Sequence, residues 1–390
     1  MQWDLFCRVI DNFGDIGVCW RLSADLAARG HTVRLWVDDA SALRWMAPDL
    51  DWSDERGWQV GRRPGIEVHD WREAEGAPAP TPGDVVIEAF GCNPPDAFVG
   101  AMQRTHPPTW INLEYLSAEA YVERSHRLRS PVFSGPGAGL SKTFFYPGFT
   151  AATGGLPREP DLLTRQAAFQ RDGALPWLHS LGIPAEAHDH LVSVFCYGGA
   201  PLPTWLDRLA DGAASAAQVI PVAARAGRTR VLLTPGHATQ LAQAWHAQAS
   251  PARRARLVLH PLPALPQPAF DQLLWACHLN IVRGEDSAVR ALWAGRPHIW
   301  HIYPQDDGVH ADKLDAFMAR WMAGWPPALR TAVQAAWRDF NGLAPATADA
   351  LPEWRHPHSP WVQASLQARQ QLLTQIDLVT QLTQFVTGSE

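Results

Sequence analysis

The chain has 390 residues, 46% of them apolar, and a formal net charge of −6. That length accommodates two domains of ordinary size, and the negative balance argues against a protein built to neutralise a nucleic-acid backbone. No apolar run is long enough to cross a bilayer, and the first residues lack the charged-then-apolar layout of a signal peptide. Cys7, Cys19, Cys92, Cys196 and Cys277 are scattered without close-set pairs. They read as buried, reduced thiols of a cytoplasmic protein and not as a disulfide or zinc framework.

In chain order, Leu5 to Ile10 has the length and β-branching of a buried strand. After the loop Asp11 to Gly17, Val18, Leu22, Leu26 and Ala27 recur at helical spacing, and Gly30 is placed to stop the helix. Thr32 to Val37 reads as the next strand, which completes a βαβ unit. The loop from strand to helix in such a unit lies at the carboxyl end of a parallel sheet, where α/β proteins bind ligands. Asp11 and Asp15 sit in that loop, and neither is needed to make the turn. Each also has an ordinary reading: Asp15 as the cap of a helix beginning near Gly17, Asp11 as an Asx-turn. Further strands are expected over Asp84 to Phe90, ending at Gly91, and over Thr109 to Tyr115. They bring Glu88 and Glu114 toward strand ends, each near an aromatic residue. Gly and Pro density then rises around Tyr146 to Pro157, and a polar helical stretch runs to about Ser180.

A second α/β pattern starts with the strand Leu191 to Cys196 and the turn Tyr197-Gly198-Gly199. Strands Val231 to Thr234 and Leu257 to Leu259 follow, then a helix from Phe270 to Ala276 and the strand Leu279 to Arg283. Gly284, Glu285, Asp286 and Ser287 open the next helix, which reaches Ala294. A helix start presents unpaired N–H groups and the positive end of the dipole, which suits a phosphate or diphosphate. Ser287 is expected to add a hydroxyl donor, and one of the two carboxylates to turn toward sugar hydroxyls. The ordinary reading is that Asp286 or Ser287 is an N-cap.

The pattern predicts two doubly wound, Rossmann-like domains facing across a cleft, residues 1–182 and 183–360. Residues 361–390, with Leu366, Leu372, Leu373, Ile376, Val379, Leu382 and Phe385, are expected to form an amphipathic helix that crosses back onto the first domain. An NAD-dependent oxidoreductase would also open with βαβ and an acidic residue such as Asp38. The loop here has only Gly14 and Gly17 in place of G-x-G-x-x-G, and carboxylates where pyrophosphate would lie. Asp49-Leu50-Asp51 is tempting as a metal-binding pair but sits in a proline- and tryptophan-rich loop, and His188-Asp189-His190 reads as a solvated turn.

Five stretches carry a family resemblance: Arg8 to Gly17 (RVIDNFGDIG), Asn112 to Ser117 (NLEYLS), Phe144 to Thr150 (FFYPGFT), Arg283 to Ser287 (RGEDS) and Trp300 to Gln305 (WHIYPQ). In this order they resemble the bacterial elongation factor P arginine rhamnosyltransferases, and the similarity runs from about residue 3 to the C-terminal helix. The resemblance implies a GT-B glycosyltransferase that moves rhamnose from dTDP-β-L-rhamnose onto an arginine of elongation factor P, with inversion and without metal or other cofactor. It implies that the N-terminal domain takes the protein acceptor and the C-terminal domain the nucleotide sugar, with no membrane and no direct nucleic-acid partner. Asp15 becomes the base, with Asp11 and Glu285 as further catalytic carboxylates. Asn12, Phe13, Gly14, Gly17 and Glu114 fall on the acceptor side, with Glu88 a weaker candidate there.

On the donor side the resemblance implies Tyr197, Gly198, Leu262, Gln267, Phe270, Arg283, Gly284, Asp286 and Ser287. Leu262 to Gln267 corresponds to the nucleobase loop of GT-B enzymes, whose backbone groups read the pyrimidine. Ala264 stands where a bulky aromatic is expected, so Phe270 is the substitute for covering thymine. Carboxylates suit an arginine acceptor: a guanidinium is cationic with delocalised lone pairs, so it must be oriented and must lose a proton as the C–N bond forms. A transferase with another acceptor, or a non-catalytic protein that binds elongation factor P or a nucleotide, are the remaining alternatives.

Overall fold

The structure, a computed structural model, describes residues 1–10, 13–55, 58–219, 227–305, 308–344 and 351–388. It divides into two compact units, Met1–Pro160 with Thr374–Glu390, and Asp161–Leu373.

Unit 1 is built on a nine-stranded sheet. Its strands are β1 (Gln2–Cys7), β2 (Thr32–Val37), β3 (Asp51–Glu55), β4 (Trp58–Arg63), β5 (Ile66–Asp70), β6 (Val85–Ala89), β7 (Thr109–Leu113), β8 (Arg129–Pro131) and β9 (Ser141–Phe145). They lie in the order β3-β4-β5-β2-β1-β6-β7-β9-β8. The parallel part, β5-β2-β1-β6-β7-β9, is the doubly wound order: the chain works outward from β1 on one side, then returns to lay β6 against its other edge. Ligands bind such sheets at the carboxyl ends of the two strands where the order reverses, here β1 and β6. Both faces of β1 are covered, and the one charge buried there, Asp4, is paired with Arg34 (2.7 Å). Leu5 and Cys7 pack with Leu35, Ile87 and Ile111 on one side, and Phe6 with Trp36, Phe98 and Trp110 on the other.

Strand β1 stops at Cys7, short of the predicted Ile10, because carboxylates take the next N–H groups. Asp38 accepts from Val9 (2.9 Å) and Asp15 from Ile10 (2.8 Å). Helix α1 (Gly14–Ala28) begins at Gly14 and not near Gly17, so Asp15 and Gly17 lie inside it. It buries Ile16, Cys19, Leu22 and Leu26 on one stripe against the sheet. Strands β3, β4 and β5, absent from the sequence reading, extend the sheet; β3 and β4 pair antiparallel. Asp51 starts β3, and Asp49 forms an exposed ion pair with Arg63 (2.7 Å).

Unit 2 carries a parallel five-stranded sheet of β10 (His190–Val194), β11 (Thr229–Leu233), β12 (Leu257–Pro261), β13 (Leu279–Arg283) and β14 (His298–His301). Its order, β12-β11-β10-β13-β14, puts the reversal between β10 and β13.

Two boundaries differ from expectation. The chain changes unit at Pro160–Asp161 and not at residue 182. The helix Ala174–Ser180 belongs with unit 2 because Leu178 packs with Leu191, Leu232 and Leu273. The C-terminal segment is two helices: Pro360–Leu372 stays in unit 2, and only Leu378–Thr387 belongs to unit 1. The break is enforced by Asp377, which caps the last helix through the Thr380 N–H (2.9 Å) and binds Arg29 of α1 (2.7 Å). Leu378, Val379 and Leu382 then enter the core of β1 and α1, while Ile376 stays 51% exposed. Gly155 is a glycine by necessity: its φ is +72°, and a Cβ there would overlap the Ile376 carbonyl oxygen.

Candidate active site

In unit 1, Asp15 is the second residue of α1 and is 2% exposed. Asp15 is no cap; Phe13 holds the cap position, and no side chain caps this helix. Its carboxylate reaches back over the end of β1 instead. Oδ2 accepts the Ile10 N–H (2.8 Å), and Oδ1 accepts the Tyr115 hydroxyl (3.3 Å). The amino end of a helix favours a negative charge there.

Tyr115 follows β7 and lies flat on Phe90, with ring centroids 4.2 Å apart and planes 9° apart. Phe90, just past β6, has a φ of +57°, a conformation uncommon for a bulky residue. The bend is held by the Phe90 N–H on the Leu113 carbonyl (2.7 Å) and the Gly91 N–H on Asn112 Oδ1 (3.1 Å). Asn112 in turn donates to Glu114 Oε1 (2.8 Å). Burial raises the Glu114 carboxyl above the usual carboxylate range.

Glu88 is wholly buried and ion-paired to Lys142 (2.5 Å), and burial pushes its carboxyl up as well. Phe13 is 37% exposed and meets Trp45 edge-on. Gly14 is the first residue of α1, while Gly17 is buried within it and forms no part of the loop. Asp11 and Asn12 lie outside the described residues.

In unit 2 the residues at the ends of β10 and β13 converge. The Arg283 guanidinium lies 4.4 Å from the Phe195 ring centroid and 4.6 Å from that of Tyr197, and it donates to the Cys196 carbonyl (3.3 Å). Tyr197 is flanked edge-on by His301 and Tyr303, and its N–H donates to His301 Nδ1 (3.2 Å). Burial pushes the His301 imidazole down to about 4, which keeps that nitrogen an acceptor. Phe270 touches Phe195 edge-on, and Gln267 opens the same helix, Gln267–Ala276. Gly198 lies beside His237, whose ring a Cβ would approach to 3.1 Å. Gly284 begins the helix Gly284–Ala294 at a φ of +66°, which favours glycine, and Glu285 and Asp286 occupy its first turn.

Two donor-side expectations are corrected, and a third residue has a partner of its own. Ser287 gives its hydroxyl proton to the Arg283 carbonyl, so it is not a donor waiting for phosphate, and neither it nor Asp286 caps the helix. Leu262 is a core residue beside Leu232 and Leu273, and its N–H is spent on the Leu233 carbonyl (2.8 Å). Glu285 forms an ion pair with Lys313 (2.7 Å), a residue of the helix Val309–Trp321 that sequence reasoning does not single out. Away from the site, Asp189 is no solvated turn residue: it is buried against Arg230 (2.5 Å). Among the described residues no three His, Cys, Asp or Glu gather as a metal cluster.

Each of the two units is a Rossmann-like α/β unit with polar and aromatic groups at its strand-reversal point, where sheets of this kind take their ligands. The family model for Elongation-Factor P (EF-P) rhamnosyltransferase EarP matches residues 3–387. A protein-arginine rhamnosyltransferase of Pseudomonas putida is 41% identical across 99% of each chain. One from Pseudomonas aeruginosa is 42% identical across 92% of this chain and 94% of its own. A solved structure concerned with EarP-mediated arginine glycosylation of translation elongation factor EF-P covers 100% of this chain and 99% of its own, with 28% identity and a TM-score of 0.62. The chain belongs to the EF-P rhamnosyltransferase family. Among the described residues no helix is long and apolar enough to cross a membrane.

Proposed function

We propose that the protein transfers rhamnose from dTDP-β-L-rhamnose to an arginine side chain of elongation factor P, with inversion, in the cytoplasm and without metal or cofactor. The observation that carries this reading is the Asp15 carboxylate, buried at the strand-reversal point and fixed by two donors instead of capping its helix. Unit 1 takes the acceptor and unit 2 the donor. A guanidinium nitrogen attacks the anomeric carbon, the bond from that carbon to the diphosphate oxygen breaks, and dTDP leaves. Asp15 accepts the nitrogen's proton as the C–N bond forms. Asp11 and Glu114 help to orient the acceptor cation through charge-assisted hydrogen bonds. Arg283 and the helix start at Gly284 offset the charge of the departing diphosphate. Tyr197 and Phe270 pack along the nucleotide, and Glu285 and Asp286 take sugar hydroxyls.

The test is mass spectrometry of elongation factor P after incubation with dTDP-rhamnose and a metal chelator. The wild-type protein is expected to add one rhamnosyl increment. Asp15→Asn keeps size but removes basicity, and one of its two accepting oxygens becomes a donating NH2. It should bind dTDP-rhamnose normally and lose transfer by about 10²-fold or more, the scale for removing a general base. Near-normal modification by this variant excludes Asp15 as the base, and abolition by the chelator excludes the metal-free reaction.

A further inference from the structure

We infer that Tyr115 is a positioning residue for Asp15: its hydroxyl, held in place by the stack on Phe90, fixes the plane in which the Asp15 carboxylate meets the acceptor. This inference rests on the reading of Asp15 as the base.

The terminal torsion of an aspartate is broad, so a carboxylate at a helix start turns unless something holds it. Asp15 is held at both oxygens by donors from different parts of unit 1. Oδ2 takes the Ile10 N–H from the loop after β1, and Oδ1 takes the Tyr115 hydroxyl from the end of β7. The second donor is itself built in. Tyr115 is 37% exposed, so burial alone does not fix its ring; the stack on Phe90 at 4.2 Å does. Phe90 reaches that position only through its left-handed backbone, at a φ of +57° followed by Gly91 at +66°. A bulky residue keeps such a conformation only where its surroundings over-determine it. Here they do, through the Leu113 carbonyl and the Asn112 side chain. The strained bend at the end of β6 thus supports the ring at the end of β7, which supports the carboxylate beyond β1.

Transfer to elongation factor P at saturating dTDP-rhamnose would be measured for the wild type, Tyr115→Phe, Asp15→Asn and the double variant. Tyr115→Phe keeps the ring on Phe90 and loses only the hydroxyl. It is expected to lower kcat about tenfold, with acceptor KM within about twofold, dTDP affinity unchanged and Tm preserved. Because Tyr115 acts through Asp15, adding Tyr115→Phe to Asp15→Asn should cost nothing further. A merely structural Tyr115 would cost the same in both backgrounds. Wild-type kcat in Tyr115→Phe, or a full additional loss in the double variant, overturns the inference and leaves Asp15 as the base. Wild-type transfer by Asp15→Asn overturns both.

Discussion

Arg283 and Ser287 stand on the same helix start, yet they have different duties. Arg283 offers its planar cation between two aromatic rings, whereas Ser287 has turned its proton inward to the Arg283 carbonyl. Arg283→Lys replaces a stacking plane by a point charge and should weaken dTDP binding by about 1–2 kcal/mol. Ser287→Ala should leave dTDP affinity near wild type and cost about 1 kcal/mol of stability, the worth of one hydrogen bond. Calorimetric titration with dTDP and urea unfolding of the two variants separate these outcomes. The sequence exposed both residues because a strand delivering Arg-Gly-acid-acid-Ser into a helix is a local pattern. The direction of the Ser287 hydroxyl is also local, since serine commonly bonds the carbonyl one turn back, and that signal was readable. The partners of Asp15 and Glu285 were not. Tyr115 reaches Asp15 only through the β1-β6-β7 strand order, and Lys313 reaches Glu285 from a separate helix.

At the scale of elements, the alternation of strand and helix was legible because buried parallel strands are continuous apolar runs such as Leu5 to Cys7 and Val85 to Ile87. Strands β3 and β4 were missed because Asp51, Asp54, Arg62 and Arg63 interrupt any apolar run and tryptophans crowd the segment. The C-terminal apolar spacing hid a break: Leu366 and Leu373 share one helical face and Val379 and Leu382 another, and Asp377 interrupts the helix between them. The seam where the last helix joins unit 1 is sensitive at one point. Gly155→Ala forces a left-handed residue and drives a methyl group into the Ile376 carbonyl. It is expected to destabilise unit 1 by about 2 kcal/mol or more, seen as a lower Tm. An unchanged Tm would mean that the Leu378–Thr387 helix does not hold this seam closed.

For the molecule as a whole, acid should be the damaging direction. Burial pushes His126, His278, His298 and His301 down to about 4, against about 6.5 for an unfolded histidine. Between those values the unfolded chain binds more protons than the folded one, so stability is complete above about pH 6.5 and falls as pH drops toward 4. For the fully buried His298 the loss from pH 7 to pH 5 is about 2 kcal/mol. Glu88 and Glu114 act in the opposite sense: their raised carboxyls favour the folded state at low pH and offset part of the loss. Urea midpoints at pH 7 and pH 5 check the balance, with the lower midpoint expected at pH 5.

The return of Thr374–Glu390 to unit 1 also sets an order of assembly during synthesis. A ribosome delivers the chain from its amino end, so Leu378, Val379 and Leu382 emerge after Asp161–Leu373 although they belong to the first core. A nascent chain carrying β1 and α1 therefore keeps an apolar groove open while Asp161–Leu373 is translated. The second unit, contiguous in the chain, can finish folding first, and the first closes only when the helix Leu378–Thr387 has left the ribosomal tunnel.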